Sequence, residues 1–149
     1  MFLGEKETIR KNYNLAKQAV DLLDDDNVEL INPYPIAHDL IPKYFDACDL
    51  LVFTSLAEGS PNVIKEAMAC NIPIVSTDVG DVKWLIDGVE GCYLSSFIPN
   101  DVANKLKSAL EYSGIFGRTK GRERIIDLGL DSKTVAEKII KVYRSLLEK

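Results

Sequence analysis

A strand, a tight loop, a helix and a second strand are predicted in succession near the middle of this chain, and that segment constrains the fold more than any other. Residues 50–54 and 72–75 are compact apolar runs, typical of strands buried on both faces. Between them, Ser60 before Pro61 predicts a helix start, because a hydroxyl can cap free amides and proline has no N–H that needs a partner. Asn71 is suited to a left-handed residue that ends the helix. This order predicts a parallel crossover between two neighbouring strands of one sheet.

The rest of the chain repeats the alternation of apolar strands with amphipathic helices. Further strands are predicted at residues 1–3, 28–31 and 91–94, and further helices over residues 12–23, 40–48, 82–86, 101–112 and 132–147. We expect Tyr44 and Trp84 to pack inward and residues 113–114 to stop the helix before them. The pattern predicts an α/β fold with a doubly wound parallel sheet. The 149 residues are enough for one domain, and we expect a single domain over residues 1–149.

Charge and cysteine content narrow the functional classes. The net charge of −5 argues against broad binding to nucleic acid. Three widely spaced cysteines beside apolar segments indicate buried thiols in a reducing compartment, so we expect a cytoplasmic protein. The acidic residues 24–26 follow a helix rather than a strand, which favours a solvated turn over a metal site. Residues 117–124 are locally basic; they are interpreted as a solvated loop and helix start, with peripheral contact to an anionic lipid or membrane face as the alternative.

The crossover predicts a binding site for an anion with hydroxyl groups. The helix begins at the carboxyl end of a strand, where its free amides and dipole favour a phosphate. Glu58 lies in the preceding loop and Glu66 lies within the helix, so two carboxylates bracket the site. Carboxylates accept hydrogen bonds from paired hydroxyls, which indicates a polyhydroxylated ligand carrying phosphate. The alternative is that both glutamates are solvated surface charges.

Several residues in this region resemble the donor-site signature of GT-B glycosyltransferases of family 4. The likeness consists of glutamates eight positions apart, with Gly59 and Pro61 between them, and of residues 66–69 leading into residues 72–78. It implies the Rossmann-like C-terminal half of a GT-B enzyme, with the N-terminal, acceptor-binding half absent. The implied enzyme is a metal-independent, retaining hexosyltransferase with no cofactor, acting in polysaccharide biosynthesis. Its donor is a nucleotide-diphosphate sugar and its acceptor a glycan or a lipid-linked molecule, and we expect this chain alone to be inactive.

The resemblance also implies roles for individual residues. Glu58 holds hydroxyls of the transferred sugar, Glu66 holds the ribose, and Gly80 brings backbone close to the sugar. The helix start at Ser60 and Pro61 presents amides to the diphosphate, at Gly59, Asn62 and Val63. Together with Lys11 these amides stabilise the leaving diphosphate, so that Glu58 and Lys11 are the expected catalytic residues.

The phosphate-binding cations are incomplete by this resemblance. Related enzymes have an arginine just after the glycine that corresponds to Gly4 and a lysine six positions further on. Lys11 falls at the lysine position, whereas Glu5 falls at the arginine position. Lys6 and Arg10 are both long enough to replace the arginine, and the sequence does not choose between them.

The loop after the second predicted strand meets the nucleobase in related enzymes. Tyr34 and Ile36 provide an apolar surface there, and His38, the one histidine of the chain, either approaches the base or is polar surface. In relatives the last helix crosses over the other half, so part of its apolar stripe is expected to face a partner. Alternatives of the same fold are a nucleotide-sugar epimerase and a non-catalytic nucleotide-sugar-binding subunit.

Overall fold

The computed structural model describes residues 1–147 as an α/β structure around a three-stranded parallel sheet. The strands are β1 (Leu51–Phe53), β2 (Ile74–Thr77) and β3 (Cys92–Ser95), and they lie in the order β1-β2-β3. In the register of the sheet, Leu51 lies opposite Ile74, which in turn lies opposite Cys92. The predicted parallel crossover between β1 and β2 is therefore confirmed.

Helices connect and cover these strands. They are α1 (Tyr13–Asp21), α2 (Ile41–Ala47), α3 (Asn62–Ala69), α4 (Val82–Ile86), α5 (Pro99–Phe116), α6 (Gly121–Asp127) and α7 (Ser132–Leu147). Short 3-10 helices cover Ile9–Lys11 and His38–Leu40. No helix within residues 1–147 combines the length and the apolarity needed to cross a membrane.

The sheet separates two apolar cores because successive strand side chains point to opposite faces. Leu51 and Phe53 of β1 pack with α2, α3, α4 and α6 on one face. Val52 packs with α1 and α5 on the other face. Each fully buried large side chain stabilises the fold by about 1.5–3 kcal/mol relative to an exposed one. Helices on both faces make the sheet doubly wound, as predicted.

Two predicted strands are not strands in the structure. Residues 1–3 and 28–31 run beside the sheet, but Phe2 N–H donates to the Ile31 carbonyl at 2.9 Å and Val52 N–H to the Met1 carbonyl at 2.8 Å without a continuous ladder. Residues 1–3 lie next to β1, and residues 28–31 lie next to residues 1–3. The Met1 amino group also donates to the Leu50 carbonyl at 2.7 Å, but segments of three or four residues with one or two cross-links are too short to establish a regular ladder.

Two helix predictions are wrong: the end of α5 and the inward packing of two aromatic side chains. Residues 113–114 do not stop α5, which continues to Phe116 and ends at Gly117 with a φ of 74°. Tyr44 and Trp84 were expected to pack inward, but 38% and 49% of their surfaces are exposed. Aromatic residues on short helices of one or two turns carry little periodic information, so their facing cannot be predicted.

The basic segment 117–124 is mostly exposed, and its arginines also bind the carboxyl ends of three helices. Arg118 donates to carbonyls in the last turn of α2, the shortest bond being 2.6 Å from Nη2. Arg122 Nε donates to the Ala69 carbonyl that ends α3 at 2.7 Å, and Arg124 Nη2 to the Trp84 carbonyl of α4 at 3.0 Å. Cations at helix carboxyl ends satisfy free carbonyls and oppose the helix dipole. The predicted helix start is confirmed, since α6 begins at Gly121, and Arg118 and Arg122 are exposed as a solvated segment requires. The additional role of the arginines at helix ends was not predicted.

The acidic residues 24–26, the three cysteines and the last helix were also discussed in the sequence, and their environments are as follows. The Asp25 carboxylate accepts the Asn27 N–H at 2.9 Å, so residues 24–26 form a turn. Within residues 1–147, no group of three or more His, Cys, Asp or Glu side chains is arranged to hold a metal ion. The three cysteines are free thiols. The apolar stripe of α7 is exposed along its length, since none of the residues Ser132–Leu147 is buried.

Candidate donor site

The candidate site lies where β1 and β2 end and α3 begins. Pro61, in an extended conformation, precedes the first helical residue Asn62, and no side chain caps the helix. The prediction that Ser60 caps α3 is wrong. Its hydroxyl instead donates to Asp81 Oδ2 at 2.5 Å, a charge-assisted hydrogen bond that directs the side chain to the loop after β2. The first amides of α3, at Asn62 and Val63, therefore remain available to a ligand.

The loops after β1 and β2 are in direct backbone contact. Gly80 has a φ of +58°, and a Cβ on it would lie 2.1 Å from the Gly59 carbonyl oxygen and 2.8 Å from that of Glu58. The Asp81 N–H donates to the same Gly59 carbonyl at 3.1 Å. Only glycine permits both the left-handed backbone and this approach. Gly80 thus fixes the position of the Glu58 loop, whereas Gly59 contributes only its carbonyl, since a Cβ on Gly59 would meet nothing within 4 Å.

Glu58 is bound by two cations from the segment before α1. Lys11 Nζ lies 2.8 Å from Oε1, and Arg10 Nη1 lies 2.9 Å from Oε2. The exposed fraction of the Glu58 side chain is 11%, compared with 23% for Lys11 and 53% for Arg10. The two residues predicted to be catalytic, Glu58 and Lys11, are therefore in contact, with Arg10 on the solvent side.

The environment of Glu58 favours its ionised form. Burial raises its pKa, but the hydrogen bond from Lys11, the neighbouring Ser55 hydroxyl and the charges of Lys11 and Arg10 outweigh burial, so the pKa lies below its usual value. Glu58 is therefore a carboxylate at neutral pH and can only accept hydrogen bonds.

The segment that carries the cations is anchored to the end of β1. The Thr54 hydroxyl donates to the Asn12 carbonyl at 3.0 Å, and the Leu56 N–H donates to the Arg10 carbonyl at 2.8 Å. Asn12 has a φ of 52° and separates the 3-10 helix from α1. Asparagine tolerates this left-handed conformation better than most residues, which explains why an asparagine follows Lys11.

Lys6 and Arg10, the two candidates to replace the missing arginine, have different positions. Lys6 Nζ lies over the Tyr13 ring, 4.9 Å from its centroid, whereas Arg10 reaches Glu58. The Glu5 carboxylate accepts the Thr8 hydroxyl at 2.7 Å. A hollow of about 390 Å³ beside these residues is lined by Leu3, Gly4, Glu5, Thr8, Arg10, Lys11, Tyr34, Ile36 and Ile41, and by neither of the two site glutamates.

Glu66 forms a separate contact further along α3. Four residues beyond Asn62, it lies about 6 Å along the helix axis, at a rise of ~1.5 Å per residue. Its Oε1 is 3.0 Å from His38 Nε2, and the two side chains are 29% and 82% exposed. Both residues were considered in the sequence, but their pairing across 28 positions was not predicted.

Two polar groups at the site were missed. Ser55 Oγ and Asp81 Oδ1 are buried and make no hydrogen bond of regular geometry among the described residues, although the Ser55 hydroxyl is near enough to Glu58 to lower its pKa. Each lies close in sequence to a predicted site residue. Neither belongs to a sequence pattern that indicates a role in binding. The contact of Asp81 with Ser60 spans 21 positions and has no local signature.

Comparison with known proteins places this geometry in a family context. The family model described as "Glycosyl transferases group 1" matches residues 1–112. A D-inositol 3-phosphate glycosyltransferase of Catenulispora acidiphila is 26% identical over 135 residues, which cover 90% of this chain and 32% of that protein. An uncharacterized glycosyltransferase of Methanocaldococcus jannaschii is 35% identical over 69 residues, covering 46% of this chain and 20% of the other. The chain therefore spans about a third or less of these relatives.

Solved structures agree in fold. Sucrose-phosphate synthase from Thermosynechococcus elongatus superposes with a TM-score of 0.70 at 22% identity, covering 98% of this chain and 38% of the other. Anabaena HepE, solved in complex with UDP and glucose, gives 0.69 at 17% identity over 97% of this chain and 47% of the other. These neighbours have the GT-B architecture, which establishes the predicted fold. The family match over most of the chain shows that it belongs to the glycosyl transferases of group 1.

Proposed function

We propose that this chain is the donor-binding half of a retaining glycosyltransferase. It binds a nucleotide-diphosphate sugar and, together with an N-terminal domain, transfers the sugar to a glycan or lipid-linked acceptor. The observation that carries the proposal is the meeting of Lys11 and Arg10 on Glu58, directly before the uncapped start of α3. Two cations, free amides and a carboxylate are the groups that a sugar diphosphate requires.

Each group has a separate task in this proposal. Lys11 and the amides of Asn62 and Val63 stabilise the negative charge that grows on the diphosphate as the sugar departs. Glu58 orients the sugar by accepting hydrogen bonds from its hydroxyls, and Gly80 lets the sugar approach the backbone. Glu66 accepts hydrogen bonds from the ribose. Because the donor's own phosphate assists attack and departure, the mechanism needs neither a metal ion nor a cofactor.

The comparisons support a uridine nucleotide as the first donor to test, because the HepE structures contain UDP with glucose and UDP-glucose. The exposed stripe of α7 supports a second domain, since a row of apolar side chains is stabilised when another surface covers it. The acceptor would be recognised mainly by that second domain, so we expect donor binding but no turnover by this chain alone.

Ligand-detected NMR with UDP, GDP and ADP tests the donor site. We expect one nucleoside diphosphate to bind saturably and Glu66→Gln to weaken it by about tenfold, since hydrogen bonds to a charged group are worth ~1.5–3 kcal/mol. Glu111→Gln, which changes a glutamate on α5 away from the site, is the matched control and should leave binding unchanged. Absence of binding by all three nucleotides at millimolar concentration would contradict the proposal.

Reconstitution tests the second half of the proposal. Adding the N-terminal half to this chain should restore sugar transfer, measured as release of nucleoside diphosphate that depends on acceptor. Restored transfer that is lost with Lys11→Ala identifies a catalytic half. Donor binding without transfer in the joined protein would instead indicate a non-catalytic binding subunit.

A further inference from the structure

Arg10 and Lys11 both bind the Glu58 carboxylate, although the family resemblance places the arginine of the phosphate site at the position of Glu5. We propose that Arg10 supplies that cation and that Glu58 is its internal counter-ion, which a diphosphate displaces. The inference rests on the proposed function, because it assumes that the donor's diphosphate binds beside Lys11.

Arg10 is placed for this role and Lys6 is not. Arg10 and Lys11 hold the two oxygens of one carboxylate, at 2.9 Å and 2.8 Å, so they converge on a single small anion. A guanidinium binds a phosphate with the same paired geometry that it uses for a carboxylate. The Lys6 ammonium instead lies over the Tyr13 ring at 4.9 Å from the centroid.

Glu5 does not obstruct the substitution. Its carboxylate accepts the Thr8 hydroxyl at 2.7 Å, and neither Arg10 nor Lys11 binds it. Glu5, Arg10 and Lys11 all line the same hollow of about 390 Å³. An anion entering that hollow meets two cations and one acid that is already hydrogen-bonded to a hydroxyl.

A diphosphate can replace Glu58 as the partner of Arg10 and Lys11, because it carries more negative charge and because Arg10 is exposed. Glu58 brings one negative charge to two positive ones, whereas a diphosphate brings at least two, and attraction grows with the product of the charges. Arg10 is 53% exposed and Glu58 only 11%, so a ligand reaches the guanidinium from the solvent side. Once the cations bind the diphosphate, Glu58 is free to accept hydrogen bonds from sugar hydroxyls.

This arrangement gives Glu58 two opposite effects on binding. For an anion without a sugar it is a competitor, because it occupies the cations. For a nucleotide sugar it is also a ligand, because its released oxygens accept hydroxyl hydrogen bonds. Removal of the Glu58 charge should therefore favour diphosphate more than it favours a nucleotide sugar.

Inorganic diphosphate is the direct probe, since it has neither base nor sugar. Titration calorimetry on the 149-residue chain should show Arg10→Gln weakening diphosphate by about tenfold, as expected for a lost charge-assisted pair. Lys6→Gln, which removes the same charge a few residues away, should change affinity by less than about twofold. Glu58→Gln should tighten diphosphate by about fivefold, because the competing charge is gone.

A measurement on the wild type keeps the test valid if Glu58→Gln does not fold. The carboxyl carbon of Glu58, followed by NMR through a pH titration, should report a higher pKa when diphosphate is saturating, because the cations have left it. Equal losses in Arg10→Gln and Lys6→Gln, unchanged binding in Arg10→Gln, weaker binding in Glu58→Gln, or an unchanged Glu58 titration would overturn the inference.

The same titrations repeated with UDP, GDP and ADP separate the two proposals. Diphosphate binding that depends on Arg10, with no binding of any of the three nucleotides at millimolar concentration, supports the anion site at Arg10 and refutes the nucleotide donor. Nucleotide binding that Arg10→Gln does not weaken supports the donor site and refutes the inference. Binding of neither diphosphate nor nucleotide overturns both.

Discussion

Replacing Gly80 with alanine tests whether contact between two loops fixes the position of Glu58. A Cβ at this position would lie 2.1 Å from the Gly59 carbonyl oxygen, far inside van der Waals distance, and the φ of +58° is itself unfavourable for alanine. The chain must either move the Glu58 loop or change the conformation at residue 80. Movement of the Glu58 loop displaces the carboxylate from Lys11 and Arg10.

The cost has two parts. A left-handed φ costs a residue with a Cβ about 1–2 kcal/mol. Forcing a methyl group into occupied space costs about 1–3 kcal/mol more. We therefore expect Gly80→Ala to lower the free energy of unfolding by about 2–5 kcal/mol, and each kcal/mol lowers the melting temperature of a domain of this size by about 2–4 °C.

Gly88→Ala is the matched control for this substitution. Gly88 also has a positive φ, of +72°, but a Cβ on it would meet nothing within 4 Å. It should cost only the conformational term of about 1–2 kcal/mol. Urea unfolding gives both free energies, and diphosphate titration shows whether binding tightens in Gly80→Ala alone, as it should if the competing Glu58 carboxylate leaves Lys11 and Arg10. Equal destabilisation by the two variants, with equal binding, would refute the contact argument.

Three further predictions concern the scaffold. Arg118→Ala should lower the free energy of unfolding by about 1–2 kcal/mol, because it frees carbonyls at the end of α2, whereas Lys120→Ala should change it by less than about 0.5 kcal/mol in the same urea assay. Gly121→Ala should lower the free energy of unfolding by about 1–3 kcal/mol, since a Cβ at this position would lie 2.8 Å from the α3 backbone. Gly114 lies on α5 in open space, so Gly114→Ala should raise the free energy of unfolding by about 0.5–1 kcal/mol. Burial raises the pKa of the Cys92 thiol to about 12, so the thiolate fraction at pH 8 is about one in ten thousand. Iodoacetamide should therefore label Cys92 only in urea, and mass spectrometry measures the labelling.

The strands and helices of the sheet could be predicted because their apolar periodicity is strong. β1 and β2 consist of fully buried runs, and α3 between them has a start and a stop that the sequence marks. The extended segments beside β1 could not be separated from strands, since regular pairing depends on how many hydrogen bonds form across two short segments. The apolar pattern of a segment therefore indicates that the segment is buried and extended, but not whether its backbone forms regular strand hydrogen bonds.

The site residues were predicted one by one, but their partners were not. Lys11 and Glu58 were both identified, yet their ion pair joins residues 47 positions apart. The choice of Arg10 over Lys6 depends on the 3-10 helix Ile9–Lys11 and on the left-handed Asn12 that follows it. These features turn one cation toward Glu58, and no local pattern in the sequence encodes the direction of a single long side chain.

The error at Ser60 has a reason that applies to binding sites more widely. A capping residue would stabilise α3 by about 1 kcal/mol, so rules built on stability assign the hydroxyl to the free amides. In this protein α3 is held at its other end, where Arg122 Nε donates to the Ala69 carbonyl at 2.7 Å and Thr119 N–H to the Asn71 carbonyl at 2.7 Å. Its buried face adds the packing of Met68. Because the helix is stabilised elsewhere, its first amides can remain unpaired until a ligand binds, and a rule that expects every amide to be paired within the chain mispredicts that end.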